Sequence, residues 1–174
     1  MPTVRASQPL DLPAITAIYR HHVLHGTGTF ETDPPSLNEM AQRRQAVLDK
    51  HLPWLVAHAE DGSILGYAYA NWFKPRPAYR FSAEDSIYVA ERARGQGIGR
   101  LLLDALCREC EAAGVRKLIA VIGDSANAGS IGVHRAAGFT EVGVLSNVGW
   151  KFDRWLDVVM MEKSLGAGAS TSPE

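Results

Sequence analysis

Apolar positions along this chain follow two rhythms, one of period two and one close to 3.6, and the changes between them mark out its elements. Thr3-Val4-Arg5 reads as a short first strand. Asp11 stands where a helix N-cap belongs, Pro13 falls in the first turn, and Ile15, Ile18 and Tyr19 share one side of a helix expected to reach about Leu24. Residues 26–32 form a small-residue loop carrying Phe30, and Ser36 with Glu39 marks the start of a second helix as a capping box. Residues 54–57 and 64–70 have strand character and are joined through Glu60-Asp61-Gly62, a hairpin signal. Two prolines then break regular structure across residues 72–80.

The second half begins with a strand over residues 86–89, preceded by Glu84 and Asp85. A glycine-rich turn follows, and then a helix with Leu101, Leu102, Ala105, Leu106 and Ala113 on one stripe, capped by Gly114. Residues 117–122 are almost continuously apolar, as expected of a strand buried on both faces, so strand, helix and strand make a parallel crossover. A short helix carrying Ser130 and His134 closes at Gly138. Residues 139–145 and 154–161 read as two closing strands, with an aromatic loop over 146–152 between them. From Ser164 the Gly-Ala-Ser composition predicts a disordered tail, leaving residues 1–163 as one domain.

The turn Arg94-Gly95-Gln96-Gly97-Ile98-Gly99-Arg100 concentrates the chemistry. Glycines bring the backbone close to a bound group, and a helix start behind them offers unpaired N–H groups, so the turn suits a phosphate or pyrophosphate. Arg100 stands where a dinucleotide-binding Gly-x-Gly-x-x-Gly needs its third glycine, and no Gly-Lys followed by Ser or Thr is present for an NTPase loop. The kinase companions His-Arg-Asp and Asp-Phe-Gly are also missing.

Composition narrows the partners. A chain of 174 residues, 46% hydrophobic, is enough for one well-filled core. A formal net charge of -1 gives no basic field for nucleic acid or a membrane surface, which favours a small-molecule ligand. The N-terminus lacks a secretory pattern, and a cytoplasmic setting is expected. Cys107 and Cys110 lie within a helix without further ligands, so two reduced thiols are expected rather than a redox or zinc site. His21, His22 and His25 have helical spacing but no carboxylate motif to complete a metal site.

Other residues admit two readings each. Phe30 either lies across a substrate mouth or anchors its loop in the core. Lys74, Arg76 and Arg80 either dock an acidic group or are solvated. Side chains alternate along a strand, so Glu84 and Asp85 cannot both address one substrate. Asn127 and Ser130 either cap their helix or face a ligand.

Taken in order, residues 83–89, Arg94 to Gly99, residues 120–123, Asn127 with Ser130, and His134 with Gly138-Phe139 resemble the phosphinothricin and methionine sulfoximine N-acetyltransferases of the GNAT superfamily. The similarity runs from Val4 to Leu165 and includes the closing segment, residues 149–157. It implies an α/β acyl-CoA N-acyltransferase fold, a mixed central sheet of about six to seven strands flanked by about four helices. Acetyl-CoA would be the cosubstrate, without a metal.

By this resemblance the backbone of Tyr88, Val89 and Ala90 pairs with the pantetheine arm, and main-chain N–H groups of Gln96, Gly97, Ile98, Gly99 and Arg100 hold the pyrophosphate. Asn127 binds the coenzyme beyond the next strand, with Ser130 assisting. Glu84 is the expected base, acting through a water, and His134 either protonates the leaving thiolate or only hydrogen-bonds near it. The acceptor would be a small L-amino acid analogue. Arg76 and Arg80 would hold its acidic groups, Phe30 and Trp72 would wall the pocket, and Asp85, Asn147 and Lys151 would contribute contacts. A homodimer is implied. The alternatives are a GNAT enzyme for another amine, such as a protein N-terminus, polyamine or aminoglycoside, and a non-catalytic acyl-CoA sensor.

Overall fold

A computed structural model describes residues 1–174. Its elements are β1 (Thr3–Ala6), α1 (Leu12–His25), α2 (Leu37–Leu48), β2 (Trp54–His58), β3 (Ile64–Trp72), β4 (Ser82–Val89), α3 (Ile98–Ala112), β5 (Lys117–Gly123), α4 (Ala128–Ala136), β6 (Thr140–Lys151) and β7 (Arg154–Ser164). The strands form one seven-stranded sheet in the order β1-β2-β3-β4-β5-β7-β6. Only β4 and β5 run parallel, and every other neighbouring pair is antiparallel. This is the mixed α/β architecture that the resemblance implies.

Alternation along β3 and β4 sorts the two faces of the sheet. Tyr67 and Tyr69 of β3 lie beside Trp54 of β2 and, with Tyr88 of β4 and Tyr19 of α1, form a packed aromatic layer under α1 and α2. On the opposite face α3 contributes Leu102, Leu103 and Leu106, all fully buried. Two buried faces need two helical layers, which accounts for the nearly continuous apolar run of β5.

Three boundaries differ from the sequence reading. Asp11 does not cap α1 through its side chain; its carboxylate accepts two hydrogen bonds from Arg5, at 2.7 and 2.8 Å, and one from the Gln8 N–H. The aromatic segment 146–152 is mostly strand. β6 runs to Lys151 with a bulge between Leu145 and Gly149, and the reversal falls on Phe152 and Asp153, both at positive φ. The last strand includes Ser164, Leu165 is buried, and Arg116 hydrogen-bonds to Gly168, Thr171 and Ser172 of the expected tail. A guanidinium from a distant segment thus supplies contacts that the Gly-Ala-Ser composition of these residues does not show.

Candidate active site

The site follows from where the parallel pair stops. β4 and β5 are paired from Ser82 with Lys117 to Asp85 with Ala120, and beyond that the two strands separate. Residues past the parting line on both strands, together with the α3 and α4 N-terminal turns and the 26–30 loop, line a cleft of about 1000 Å³.

Antiparallel pairs alternate between bonded and non-bonded positions, which decides what the free edge of β4 offers. Phe73 N–H to the Ser82 carbonyl and Ala90 N–H to the Leu65 carbonyl bracket the β3–β4 ladder. In that register Glu84, Ser86 and Tyr88 exchange bonds with β3, while Ile87 and Val89 turn their backbone groups toward the opening. Of the three residues expected to pair with a pantetheine arm, therefore, only Val89 turns its backbone groups to the opening. Tyr88 is committed to β3, and Ala90 has its N–H on Leu65 and its carbonyl on the Ala93 N–H.

At the other wall Gly97 is in the left-handed region, with φ of 77°, and starts α3; the first helical bond is Leu101 N–H to the Gly97 carbonyl at 3.0 Å. No N–H from Gly95 to Arg100 has an acceptor within the protein. A row of unpaired donors at a helix start fits a diphosphate without any side chain taking part. The side chains are indeed turned elsewhere, Arg100 to Asp104 and Gln96 to the Arg92 carbonyl. Gly97, Ile98, Gly99 and Arg100 line the cleft, and Gln96 and Ala90 do not.

The two acids take opposite faces of β4. Asp85 is buried on the α4 side, where its Oδ2 accepts from His134 Nε2 at 2.7 Å; its Oδ1 has no partner. His134 is 4% exposed, and its Nδ1 also donates, to the Ser130 carbonyl at 2.7 Å. Burial pushes the imidazole pKa down, but the hydrogen bond and charge of Asp85 with the Ser130 carbonyl outweigh it and hold the group above its ordinary value. With both ring nitrogens engaged, His134 has no free N–H for a leaving thiolate, and Asp85 binds this ring rather than an acceptor. Glu84, half-buried, faces the α1 side of the cleft. Burial and the neighbouring Asp85 charge raise its carboxyl pKa, against the opposing effect of Lys74.

The acceptor side is built from distant segments. Phe30 lies between Gly123 and Gly149, where a Cβ on either glycine would overlap its ring. The ring therefore anchors its loop, and it also lines the cleft. Lys151 is buried and donates to the Gly26 and Thr29 carbonyls, both at 2.8 Å, so it fixes this loop instead of meeting a ligand. Glu31, at the loop end, accepts from Tyr19 and Arg43. Asn127 caps α4 through the Ser130 N–H at 3.2 Å, and both residues also line the cleft.

Trp72, Arg76, Arg80 and Asn147 lie outside the cleft. Arg80 hydrogen-bonds the Pro77 carbonyl and pairs with Glu174, Trp72 lies under the Lys50 ammonium, and Asn147 sits in the β6 bulge with its N–H on Asp157. Three arginines line it instead: Arg94 and Arg100 at the glycine turn, and Arg154, the first residue of β7, held 3.5 Å from Asp124. The signal for Arg154 was its position directly after a tight turn. His22 also lines the cleft, where the sequence suggests a solvated helix end rather than a metal ligand. Cys107 and Cys110 are buried in α3 with their thiol pKa values pushed up by burial, which leaves no activated thiol near the cleft.

Known proteins share this architecture. A model of the acetyltransferase (GNAT) family matches residues 15–139. The chain is 55% identical to a phosphinothricin N-acetyltransferase of Alcaligenes faecalis, over 99% of its own length and 87% of the relative's. It is 38% identical to an L-methionine sulfoximine/L-methionine sulfone acetyltransferase of Pseudomonas paraeruginosa, covering 94% of both chains. The crystal structure of a phosphinothricin acetyltransferase from Sinorhizobium meliloti in complex with AcCoA superposes with a TM-score of 0.96 at 46% identity, covering 99% of this chain and 93% of that one. Parted strands, a glycine turn of free N–H groups and this similarity along nearly the whole length lead to one conclusion: the chain belongs to the acetyltransferase (GNAT) family.

Proposed function

We propose that the protein acetylates the α-amino group of a small L-amino acid analogue of the phosphinothricin, methionine sulfoximine or methionine sulfone type. It is an acetyl-CoA-dependent N-acetyltransferase; the relatives named above are acetyltransferases, and the Sinorhizobium meliloti structure holds AcCoA. The choice of acceptor rests on those relatives and on the residues that line the cleft away from the glycine turn, among them Glu84, Phe30 and Arg154. Arg154 is the cation available to an acidic group there.

Acetyl-CoA supplies an activated acetyl thioester. The chain's residues do the rest. Glu84 takes the proton that an ammonium acceptor must lose before its nitrogen attacks, directly or through one water, and its raised pKa brings it nearer to that task. The unpaired Val89 N–H is the donor for the thioester carbonyl oxygen. The Asp85–His134 pair holds α4, and with it Asn127 and Ser130, against β4. Transfer is direct, within a ternary complex, because both thiols are buried in α3.

The single observation that carries this reading is the position of Glu84: on the parting line, half-buried, and on the face opposite the Asp85–His134 pair. The β6–β7 hairpin supports a homodimer. Its outer face exposes Val148, Trp150 and Trp155 by 51%, 55% and 59%, an apolar surface on an edge strand that a second copy would cover. The deciding experiment is a thiol-release screen with acetyl-CoA against phosphinothricin, methionine sulfoximine, methionine sulfone, unmodified amino acids, polyamines and peptides. Turnover with the analogues supports the proposal, and activity confined to polyamines or peptides would overturn it.

A further inference from the structure

The Val89–Ala90 peptide is held at both ends. Its N–H donates to the Leu65 carbonyl of β3 at 2.8 Å, and its carbonyl oxygen accepts from Nε2 of His22, also at 2.8 Å, across the end of α1. A carbonyl is only an acceptor, so Nε2 must carry the proton. The ring is half-buried with its edge toward Tyr88, 5.3 Å between centroids, and burial together with the nearby Arg94 and His21 charges favours its neutral form against the Val89 carbonyl and Glu91. His21, one residue earlier, turns outward to Glu91 at 3.0 Å, so the adjacent imidazoles have separate tasks.

This contact falls where the cleft is most exacting. The N–H and carbonyl of a strand residue point to the same side, and at Val89 that side is the opening between β4 and β5. An arm bearing amide groups and lying along this edge would ordinarily use both, as an added strand does. Here the carbonyl already has a protein donor.

We propose that His22 is a positioning residue for acetyl-CoA: by taking the Val89 carbonyl it fixes the last peptide of β4, so that the coenzyme arm meets Val89 chiefly through its N–H, aimed into the cleft. This rests on the acetyl-CoA reading given above. His22 touches no reacting atom in this scheme; it acts through Val89.

The test uses the full-length protein and three variants. His22→Phe keeps a ring and removes the donor, His22→Leu removes both, and His22→Gln can return an N–H at similar reach. Calorimetric titration with acetyl-CoA, without acceptor, gives Kd; steady-state kinetics gives kcat and the acceptor KM; a melting curve reports folding. We expect His22→Phe and His22→Leu to weaken acetyl-CoA binding and lower kcat, each about three- to tenfold, the size of one neutral hydrogen bond. The acceptor KM and melting temperature should stay near wild type, and His22→Gln should recover most of the loss. A His22→Phe protein that binds and turns over like wild type overturns the inference, as does a His22→Gln protein no better than His22→Phe.

If the variants fail to fold, ¹⁵N-resolved spectra of the wild-type imidazole still decide. A proton on Nε2 before and after acetyl-CoA is added supports the inference, and one on Nδ1 alone overturns it. A wild-type protein that binds no acetyl-CoA would remove the underlying reading and this one with it. Normal wild-type binding with indifferent variants would remove only the role of His22.

Discussion

The two walls of the cleft are made differently. The wall proposed for the coenzyme offers backbone: the Val89 edge of β4 and the N–H row from Gly95 to Arg100, with the Arg100 and Gln96 side chains turned away. The wall proposed for the acceptor offers side chains from separate segments: Glu84 from β4, Phe30 from the α1–α2 connection and Arg154 from the final hairpin. Backbone recognition tolerates many side chains provided the chain path is kept, whereas side-chain recognition changes with each residue. A common donor and a variable acceptor call for this division.

The strongest way to break the comparison is at Glu84. Glu84→Gln should lower kcat by about 10²- to 10⁴-fold with little change in acetyl-CoA affinity, measured by thiol release and by titration. The base works as the carboxylate, so wild-type kcat/KM should fall as pH drops through a pKa above the ordinary glutamate value of about 4.3. A flat acid limb, or unchanged turnover in the variant, would remove Glu84 from the reaction.

Lys151→Met tests the acceptor wall indirectly. It leaves the Gly26 and Thr29 carbonyls without their buried ammonium and should reduce kcat/KM for the acceptor about ten- to a hundredfold, while Kd for acetyl-CoA is kept. Gly97→Ala tests the opposite wall. No neighbour would meet the added Cβ, so the cost is the left-handed backbone alone, and acetyl-CoA should bind about tenfold more weakly with the acceptor KM unchanged. The smallest effect is expected from Arg76 and Arg80 changed together to alanine: an acceptor KM within about twofold of wild type, as for solvated surface charges. A large rise would mean that these arginines reach the cleft of a second copy.

The same division explains what was legible in the sequence. The wall proposed for the coenzyme is written in consecutive residues, because a glycine spacing dictates a backbone path and that path leaves the N–H row free. The parallel crossover was legible too, since β5 is buried on both faces and reads as an unbroken apolar run. The acceptor wall depends on pairings between distant positions that no local pattern carries. Lys151 is committed to carbonyls far away in the chain, and Arg80 reaches toward Glu174. Asp11 resembles a cap until Arg5 claims it. Residues 146–152 read as a loop, and the structure uses their first part as a bulge that prolongs β6 to Lys151, moving the reversal to Phe152-Asp153 and leaving Arg154 to line the cleft. His22 had no signal of its own, since its partner is a backbone carbonyl.

The parted strands have a consequence for folding as well as catalysis. β4 is fastened along its other edge to β3, and β5 along its other edge to β7, so the sheet consists of two antiparallel plates joined by the short seam from Ser82 with Lys117 to Asp85 with Ala120. A molecule lying in the gap bridges those plates and is lost when the chain unfolds. At a free coenzyme concentration one hundred times its Kd, the native state would gain about 2.7 kcal/mol from occupancy alone. The protein's lifetime in a cell would then follow the supply of its own cosubstrate, falling when acetyl-CoA is scarce and the enzyme has least to do.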